Sequence, residues 1–217
     1  MGSKVLRSDK LKLTIILVMV ALPLGLATFT FNFFQDQRIG TTNNGILISP
    51  VIDITEFAME DSNGMPVFES FETLVASIDV EDYVPRPWTL IFLGTDSCDD
   101  ACGDRLFYLR QLHRLLGADE PRLARYYVNA GTSRSLDERT REMFDEAFPG
   151  MSVVYTQREQ LLDNLLPRLP SGVNPMEEHY IFLSDPLGNV MLYFTPENTP
   201  DEILEDLEKL LARSSLG

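Results

Sequence analysis

The sequence WTLIFLGTDSCDDACGD, residues 88–104, carries the strongest structural signal in the chain. Residues 88–93 form an uninterrupted apolar run, which is typical of a strand buried on both faces of a sheet. Turn-forming residues follow at 94–97, and a helix is expected from about residue 100. The only cysteines, Cys98 and Cys102, lie at this strand-to-helix junction. Because residues four apart share one helix face, the two sulfurs can form a disulfide or hold one metal ion.

An apolar segment without charged residues occupies positions 13–34. At about 1.5 Å per residue, a helix of this length spans a hydrocarbon core of about 30 Å. The basic residues before it are Lys4, Arg7, Lys10 and Lys12. By the positive-inside rule, residues 1–12 are expected in the cytoplasm and the remainder of the chain across the membrane. A signal peptide cleaved near residues 25–27 is the alternative, but phenylalanines continue the apolar run beyond that point, which favours an uncleaved anchor.

The chain is strongly acidic, with a formal net charge of −15. The basic residues before the apolar segment contribute to this total, so the region after it is more acidic still. A domain with this charge repels nucleic acid and anionic lipid surfaces, and it attracts basic proteins or cations. No nucleic-acid partner is therefore expected, although an acidic surface can also serve only to keep a protein soluble.

A purely structural disulfide explains the cysteine spacing poorly. Closing such a short loop removes much less chain entropy than the roughly 3 kcal/mol expected for a loop of about 15 residues. The spacing therefore favours chemistry at Cys98 and Cys102 over a structural cross-link. If that chemistry is redox, Cys98 is expected to be the more exposed, attacking thiol and Cys102 the resolving one.

The remaining patterns predict alternating strands and helices, followed by a hairpin and a closing helix. After strand 88–93, the predicted elements are helix 100–116, strand 123–128, a helix with a Ser135–Glu138 capping box, strand 151–155, helix 157–166, strands 179–183 and 189–194, and a helix capped at Thr199. This order is that of an α/β, thioredoxin-like mixed sheet flanked by helices, here preceded by one N-terminal transmembrane helix. The predicted organisation is cytoplasmic residues 1–12, anchor 13–34, tether or extended segment 35–56, and folded domain 57–217.

Several of these features together resemble the Sco (SenC) family. They are the anchor, a short N-terminal hairpin, Cys98-Asp-Asp-Ala-Cys102 after the first core strand, and His179 shortly before Asp185-Pro186-Leu187-Gly188. The chain looks closer still to small Sco-like membrane proteins encoded among bacterial cytochrome oxidase assembly genes, through residues 41–45 and 185–189. The resemblance implies a thioredoxin-like periplasmic domain that binds copper and assists cytochrome c oxidase assembly from the bacterial inner membrane.

Carried over by position, the family's metal ligands fall on Cys98, Cys102 and His179. Copper(I) prefers thiolates, and an added imidazole lets the same site hold copper(II). The sequence departs from the family pattern at Asp99 and Gly103, where proline is usual, and after the second core strand, where Asn129-Ala130-Gly131-Thr132 replaces Asp-Pro. The carboxylates flanking the cysteines disfavour a reactive thiolate and favour a cation.

Three functions are consistent with these residues. The first is a copper-binding accessory factor whose partner is a cytochrome oxidase subunit or another assembly factor. The second is a thiol-disulfide reductase with Cys98 and Cys102 as catalytic residues, and the third is a non-catalytic assembly scaffold. A monomer is expected in each case. Met176 is a possible further copper ligand or a core residue, Pro175 a possible cis-proline or an ordinary turn residue, and His113 is expected to lie away from the cysteines.

Overall fold

A computed structural model describes residues 12, 15–29, 43–77 and 86–214 of the chain. It separates the chain into two compact units, 1–42 and 43–217. In the first unit, residues 15–29 form helix α1. The predicted anchor 13–34 extends past this helix, and its residues 13–14 and 30–34 lie outside the described residues. Within the described part of the chain, no helix is both long enough and apolar enough to cross a membrane.

The second unit is built on a six-stranded mixed sheet with the strand order β1-β6-β5-β2-β3-β4. Strands β2, β3 and β4 run parallel to one another, whereas β5 is antiparallel to β2, β6 to β5, and β1 to β6. The strand bounds are β1 Ile46–Asp53, β2 Trp88–Gly94, β3 Leu123–Asn129, β4 Met151–Tyr155, β5 Ile181–Ser184 and β6 Asn189–Phe194. This is the predicted α/β, thioredoxin-like mixed sheet.

Helices cover both faces of the sheet. Their bounds are α2 Phe71–Ser77, α3 Asp100–Leu115, α4 Glu138–Ala147, α5 Arg158–Leu165 and α6 Pro200–Arg213, with short 3₁₀ helices at Ile54–Phe57, Gly117–Arg122 and Leu166–Arg168. Alternate residues of β2 enter two separate apolar clusters, as the two-residue period of a strand requires. Leu90 and Phe92 pack in one cluster with α3, α4 and α6, and Ile91 and Leu93 pack in the other with α5.

Strand β2 lies in the interior of the sheet and is buried along its whole length. It pairs with β3 on one side and β5 on the other. This double burial explains why residues 88–93 are apolar without alternation, as the sequence predicted. The chain leaves β2 at Gly94, so the turn that carries the cysteines is fixed at the end of the most buried strand.

The folded domain begins earlier than the predicted residue 57. Residues 43–56 belong to the compact unit, and β1 forms one edge of the sheet. Gly45 N donates to Oδ2 of Asp206 at 2.8 Å, and this carboxylate on α6 is buried. A backbone donor thus satisfies a buried charge and holds the chain against α6 before β1 starts. Residues 35–42 of the predicted tether lie outside the described residues.

Three local predictions differ from the structure. The first residue of α4 is Glu138, and its N-cap is Asp137, whose Oδ1 accepts a hydrogen bond from Thr140 N at 2.7 Å. The predicted capping box that begins at Ser135 is therefore wrong. Strand β5 begins at Ile181, so His179 precedes the strand. The N-terminal hairpin is reduced to a single bridge between Glu60 and Pro66.

Substitution of Gly94 tests how closely β2 and β3 approach. A Cβ atom at Gly94 would lie 2.2 Å from the hydroxyl oxygen of Tyr127, whose ring is fully buried. We expect Gly94→Ala to lower the free energy of unfolding by about 1–3 kcal/mol because the ring cannot move aside without repacking. Urea unfolding followed by circular dichroism measures the change.

Gly103→Ala is the matched control. A Cβ atom at Gly103 meets only the Met143 sulfur, at 3.7 Å, which is an ordinary contact. Because alanine is the better helix former, the free energy of unfolding of this variant should rise by about 0.5–1 kcal/mol. Equal stability of Gly94→Ala and the wild type would contradict the close approach.

Candidate redox and metal site

Hydrogen bonds donated by two backbone N–H groups fix the cysteines at the start of α3. Cys98 N donates to Oγ1 of Thr140 at 2.9 Å, which ties this residue to α4. Cys102 N donates to Oδ1 of Asp99 at 2.9 Å, and Asp99 is the N-cap of α3. The two sulfurs form a disulfide, with Cα atoms 5.3 Å apart. The structure therefore describes the oxidised form of the pair.

A cavity of about 380 Å³ lies beside the disulfide. Its lining residues are Gly94, Thr95, Ser97, Asp99, Cys102, Tyr127, Arg158, Met176, Glu177 and His179. Cys102 lines this cavity, whereas Cys98 is not part of its wall. Both cysteines are buried, with 5% of Cys98 and 2% of Cys102 exposed. The expectation that Cys98 would be clearly the more exposed thiol finds no support in this geometry.

His179 enters the same cavity from the loop before β5. Its backbone has a φ of 52°, which lies in the left-handed region that residues other than glycine rarely adopt. Its ring stacks on Phe92, with centroids 5.8 Å apart and an interplanar angle of 15°. Nε2 lies 3.6 Å from Oδ1 of Asp99, and Nδ1 is buried and has no hydrogen-bond partner among the described residues. A buried nitrogen without a partner is costly, so this ring has an unused acceptor or ligand position.

The structure brings two of the three predicted metal ligands, Cys102 and His179, to one cavity, and the disulfide bonds the third, Cys98, to Cys102. Among the described residues, no group of three or more histidine, cysteine or acidic side chains could hold a metal ion. In this state the two sulfurs are bonded to each other, so neither is a thiolate that could bind a metal. A ligand set of Cys98, Cys102 and His179 therefore requires that the disulfide is reduced first, and it stays a prediction.

Asp99 links the cysteines to His179, a connection that the sequence did not reveal. From the sequence, its carboxylate was expected to disfavour a reactive thiolate and to favour a cation. In the structure, Oδ1 of Asp99 both accepts the hydrogen bond from Cys102 N and faces Nε2 of His179. One carboxylate thus connects the helix start that carries the cysteines with the histidine ring. A carboxylate beside one imidazole nitrogen orients the ring and leaves the other nitrogen for a ligand.

Asp96 holds the loop that follows β3. Its carboxylate accepts hydrogen bonds from Thr132 N at 2.9 Å, from Ser133 N and from the Asn129 side chain. Partial burial by itself raises the pKa of Asp96, but these hydrogen bonds outweigh burial and hold the pKa below its ordinary value. A Cβ atom at Gly131 would lie 2.1 Å from Oδ1 of Asp96, so this approach requires glycine.

Tyr127 and Arg158 are further cavity residues that sequence reasoning missed. The Tyr127 hydroxyl donates to Thr95 O at 2.8 Å, and burial raises the pKa of Tyr127 well above its ordinary value. This phenol is therefore neutral at any physiological pH. Arg158 is the first residue of α5, and its Nε donates to Ala130 O at 3.1 Å. Neither residue carries a local sequence signal because both reach the cavity from other elements.

The remaining candidates have clear positions. Met176 is buried in the apolar cluster that includes α5, and it also lines the cavity. The peptide bond before Pro175 is trans, since the one cis bond in the described residues is Ser49–Pro50. His113 lies away from the cysteines, as expected, with Nε2 2.9 Å from Leu123 O and Nδ1 3.1 Å from Oε1 of Glu120.

The fold and the site define a thioredoxin-like domain with a Cys-x-x-x-Cys disulfide at the start of its first core helix. The family model described as "Transmembrane-like, thioredoxin-like, C-terminal domain" matches residues 88–214. The chain belongs to this family. No curated protein sequence matches the chain.

Among solved structures, copper-bound yeast Sco1 is similar, with a TM-score of 0.52 and 14% identity over 81% of this chain and 96% of that chain. Copper-bound ScoI from Arabidopsis thaliana has a TM-score of 0.50 and 11% identity, over 80% of this chain and 100% of that chain. BsSco, a member of the Sco family of cytochrome c oxidase assembly proteins in which a disulfide switch is identified, has a TM-score of 0.50 and 13% identity. The match covers 79% of this chain and 98% of that chain. At these identities the likeness establishes the fold.

The lowered pKa of Asp96 predicts a pH-dependent contribution to stability. A carboxyl with a lowered folded pKa stabilises the fold fully above its ordinary pKa of 3.8 and loses this effect as pH falls through the folded value. Asp96→Asn should therefore lower the free energy of unfolding by about 1.5–3 kcal/mol at neutral pH, which is the range for hydrogen bonds to a charged group. The difference from wild type should shrink at pH values below the ordinary pKa. Urea unfolding at a series of pH values measures it.

Asp145→Asn is the control for that series. Asp145 is exposed on α4 and makes no side-chain hydrogen bond with the described residues. This variant should stay within about 0.5 kcal/mol of wild type at every pH. A wild-type advantage over Asp96→Asn that persists unchanged at low pH would show that the carboxylate charge is not its source.

Proposed function

We propose that this chain is a Sco-like, copper-binding accessory factor for cytochrome c oxidase assembly. In this role, reduced Cys98 and Cys102 supply two thiolates and His179 supplies an imidazole, and copper passes to an oxidase subunit by ligand exchange. The protein is not an enzyme with turnover in this account. Its partners are an oxidase subunit or another assembly factor, and it acts as a monomer.

One observation carries the proposal. Cys102 and His179 line the same cavity. Among the described residues, Nδ1 of His179 has no hydrogen-bond partner. A sulfur-rich site with one imidazole suits copper, since thiolates favour copper(I) and imidazole also accommodates copper(II). The shared fold with copper-bound Sco structures supports the same choice of metal.

Copper binding and disulfide formation compete for the same sulfurs. Opening the Cys98–Cys102 disulfide takes two electrons and two protons from an external dithiol, which is itself oxidised to a disulfide, and bound copper would then replace the thiol protons. The oxidised form in the structure would therefore be unable to hold copper through sulfur. A change between dithiol and disulfide would decide whether the protein can be loaded, and the disulfide switch named for BsSco is consistent with this.

The N-terminal sequence supports a location at the bacterial inner membrane. The apolar segment 13–34 would act as a single-pass anchor, with the basic residues 1–12 in the cytoplasm. The thioredoxin-like domain would then face the periplasm. An oxidising compartment is also where a cysteine pair cycles through a disulfide.

A thiol-disulfide reductase is the second candidate, and the disulfide at the start of α3 favours it specifically. In this role the sequence predicts Cys98 as the attacking thiol and Cys102 as the resolving one, but Cys98 is not part of the cavity wall. Because both cysteines are buried, a client disulfide would have to enter the cavity that Cys102 lines. Asp99 beside the cysteines opposes thiolate formation, which makes this candidate weaker than copper binding.

An anaerobic copper(I) titration against a chromophoric chelator tests the proposal, using the full-length chain in detergent after reduction. We expect one copper per chain, no competitive binding in Cys98→Ser or Cys102→Ser, and about tenfold or more weaker binding in His179→Ala. His113→Ala is the matched control, because its ring lies away from the cavity, and it should bind copper like the wild type.

Circular dichroism of the same variants separates ligand loss from misfolding. His179→Ala should remain folded, because the residue precedes β5 and its loss removes mainly one ring stack, worth about 0.5–1.5 kcal/mol. An unfolded His179→Ala variant would contradict its role as a ligand. Absence of competitive copper binding with two free thiols would reject the proposal. Reduction of insulin would then favour the reductase, and inactivity in both assays would favour a scaffold.

A further inference from the structure

A second cavity, of about 420 Å³, lies next to the cysteine cavity at the carboxyl ends of β3 and β4. Its lining residues are Gly131, Thr132, Ser133, Arg134, Tyr155, Thr156, Gln157, Arg158 and Glu159. Asn129 and Tyr155, the last residues of the two parallel strands, are paired in the sheet. The carboxyl ends of parallel strands are the usual ligand-binding edge of α/β sheets, and this volume is typical of small-molecule sites.

Arg158 gives this cavity an available positive charge. Its Nε donates to Ala130 O at 3.1 Å, which fixes the guanidinium at the cavity wall. Its two terminal nitrogens make no hydrogen bond or ion pair with the described residues, although the chain as a whole is strongly acidic. By contrast, the other arginine of the cavity, Arg134, forms an ion pair with Glu60.

Further donors without partners line the same cavity. The N-cap of α5, Gln157, makes no side-chain cap hydrogen bond, so its side chain leaves the first-turn N–H groups of the helix open to a ligand. The side-chain amide of Gln157 and the hydroxyl of Tyr155 also have no hydrogen-bond partner within the described part of the chain. The positive end of the helix dipole adds to the charge of Arg158.

We propose that this cavity binds a singly charged carboxylate group of a small molecule, with Arg158 as its main contact. The planar guanidinium matches a carboxylate with two parallel hydrogen bonds. Because Arg134 is committed to Glu60 and Glu159 adds a negative charge at the wall, the site has too little positive charge for a polyphosphate. The proposal needs neither the cysteines nor His179, so it stands or falls independently of copper binding.

Amide NMR of the ¹⁵N-labelled full-length chain in an uncharged detergent tests this site. The probe is acetate, titrated at constant ionic strength against chloride, with inorganic phosphate in a parallel arm. We expect saturable shifts of the first-turn amides of α5 with acetate. Arg158→Gln should bind acetate about tenfold more weakly, as the loss of a charge-assisted hydrogen bond implies, and Arg158→Lys should lie between the two.

Arg213→Gln is the matched control, because it removes the same charge from an exposed position on α6, which packs in the cluster opposite to that of α5. It should bind acetate like the wild type. The proposal is overturned if the α5 amides show no saturable shift, if Arg158→Gln and Arg213→Gln respond alike, or if phosphate alone binds. Unchanged amide dispersion away from α5 in Arg158→Lys shows that the variant has folded.

Discussion

The burial of strand β2 between two apolar layers is the constraint on which the rest of the structure depends. Because both faces of this strand pack against core side chains, its carboxyl end has a fixed position, and so does the turn that carries Cys98. Phe92 on the same strand supports the His179 ring by stacking. The strand therefore holds both the cysteine turn and the histidine, which come from distant parts of the chain.

The site joins two functions in one carboxylate. Asp99 caps α3 by accepting the hydrogen bond from Cys102 N, and it faces the imidazole of His179. A change at the cysteines can thus alter the environment of the histidine without a long pathway of contacts. At the position of Asp99, the family that the sequence resembles usually has proline, which has neither a carboxylate nor a backbone donor.

The sequence predicted those parts of the fold that have strong local signals. Strand β2 was predicted from its unbroken apolar run, and α6 from its Thr199 cap, with the capping box at Glu202 present as expected. The start of α4 was wrong because Ser135 and Glu138 imitate a capping box, while Asp137 with Thr140 forms the cap that occurs. For His179, the left-handed backbone and the stack on Phe92 are tertiary features with no pattern in the neighbouring residues. Arg158 and Tyr127 reach the cavities from remote elements for the same reason.

The central proposal is that the half-buried imidazole of His179 joins both sulfurs around copper once the disulfide is reduced. X-ray absorption spectroscopy of the copper-loaded, reduced full-length chain tests it most directly, because scattering distinguishes sulfur from imidazole nitrogen. The account predicts two sulfur ligands and one imidazole, with the imidazole signal lost in His179→Ala and retained in His113→Ala. A spectrum with sulfur ligands alone, or an imidazole signal that persists in His179→Ala, would contradict it.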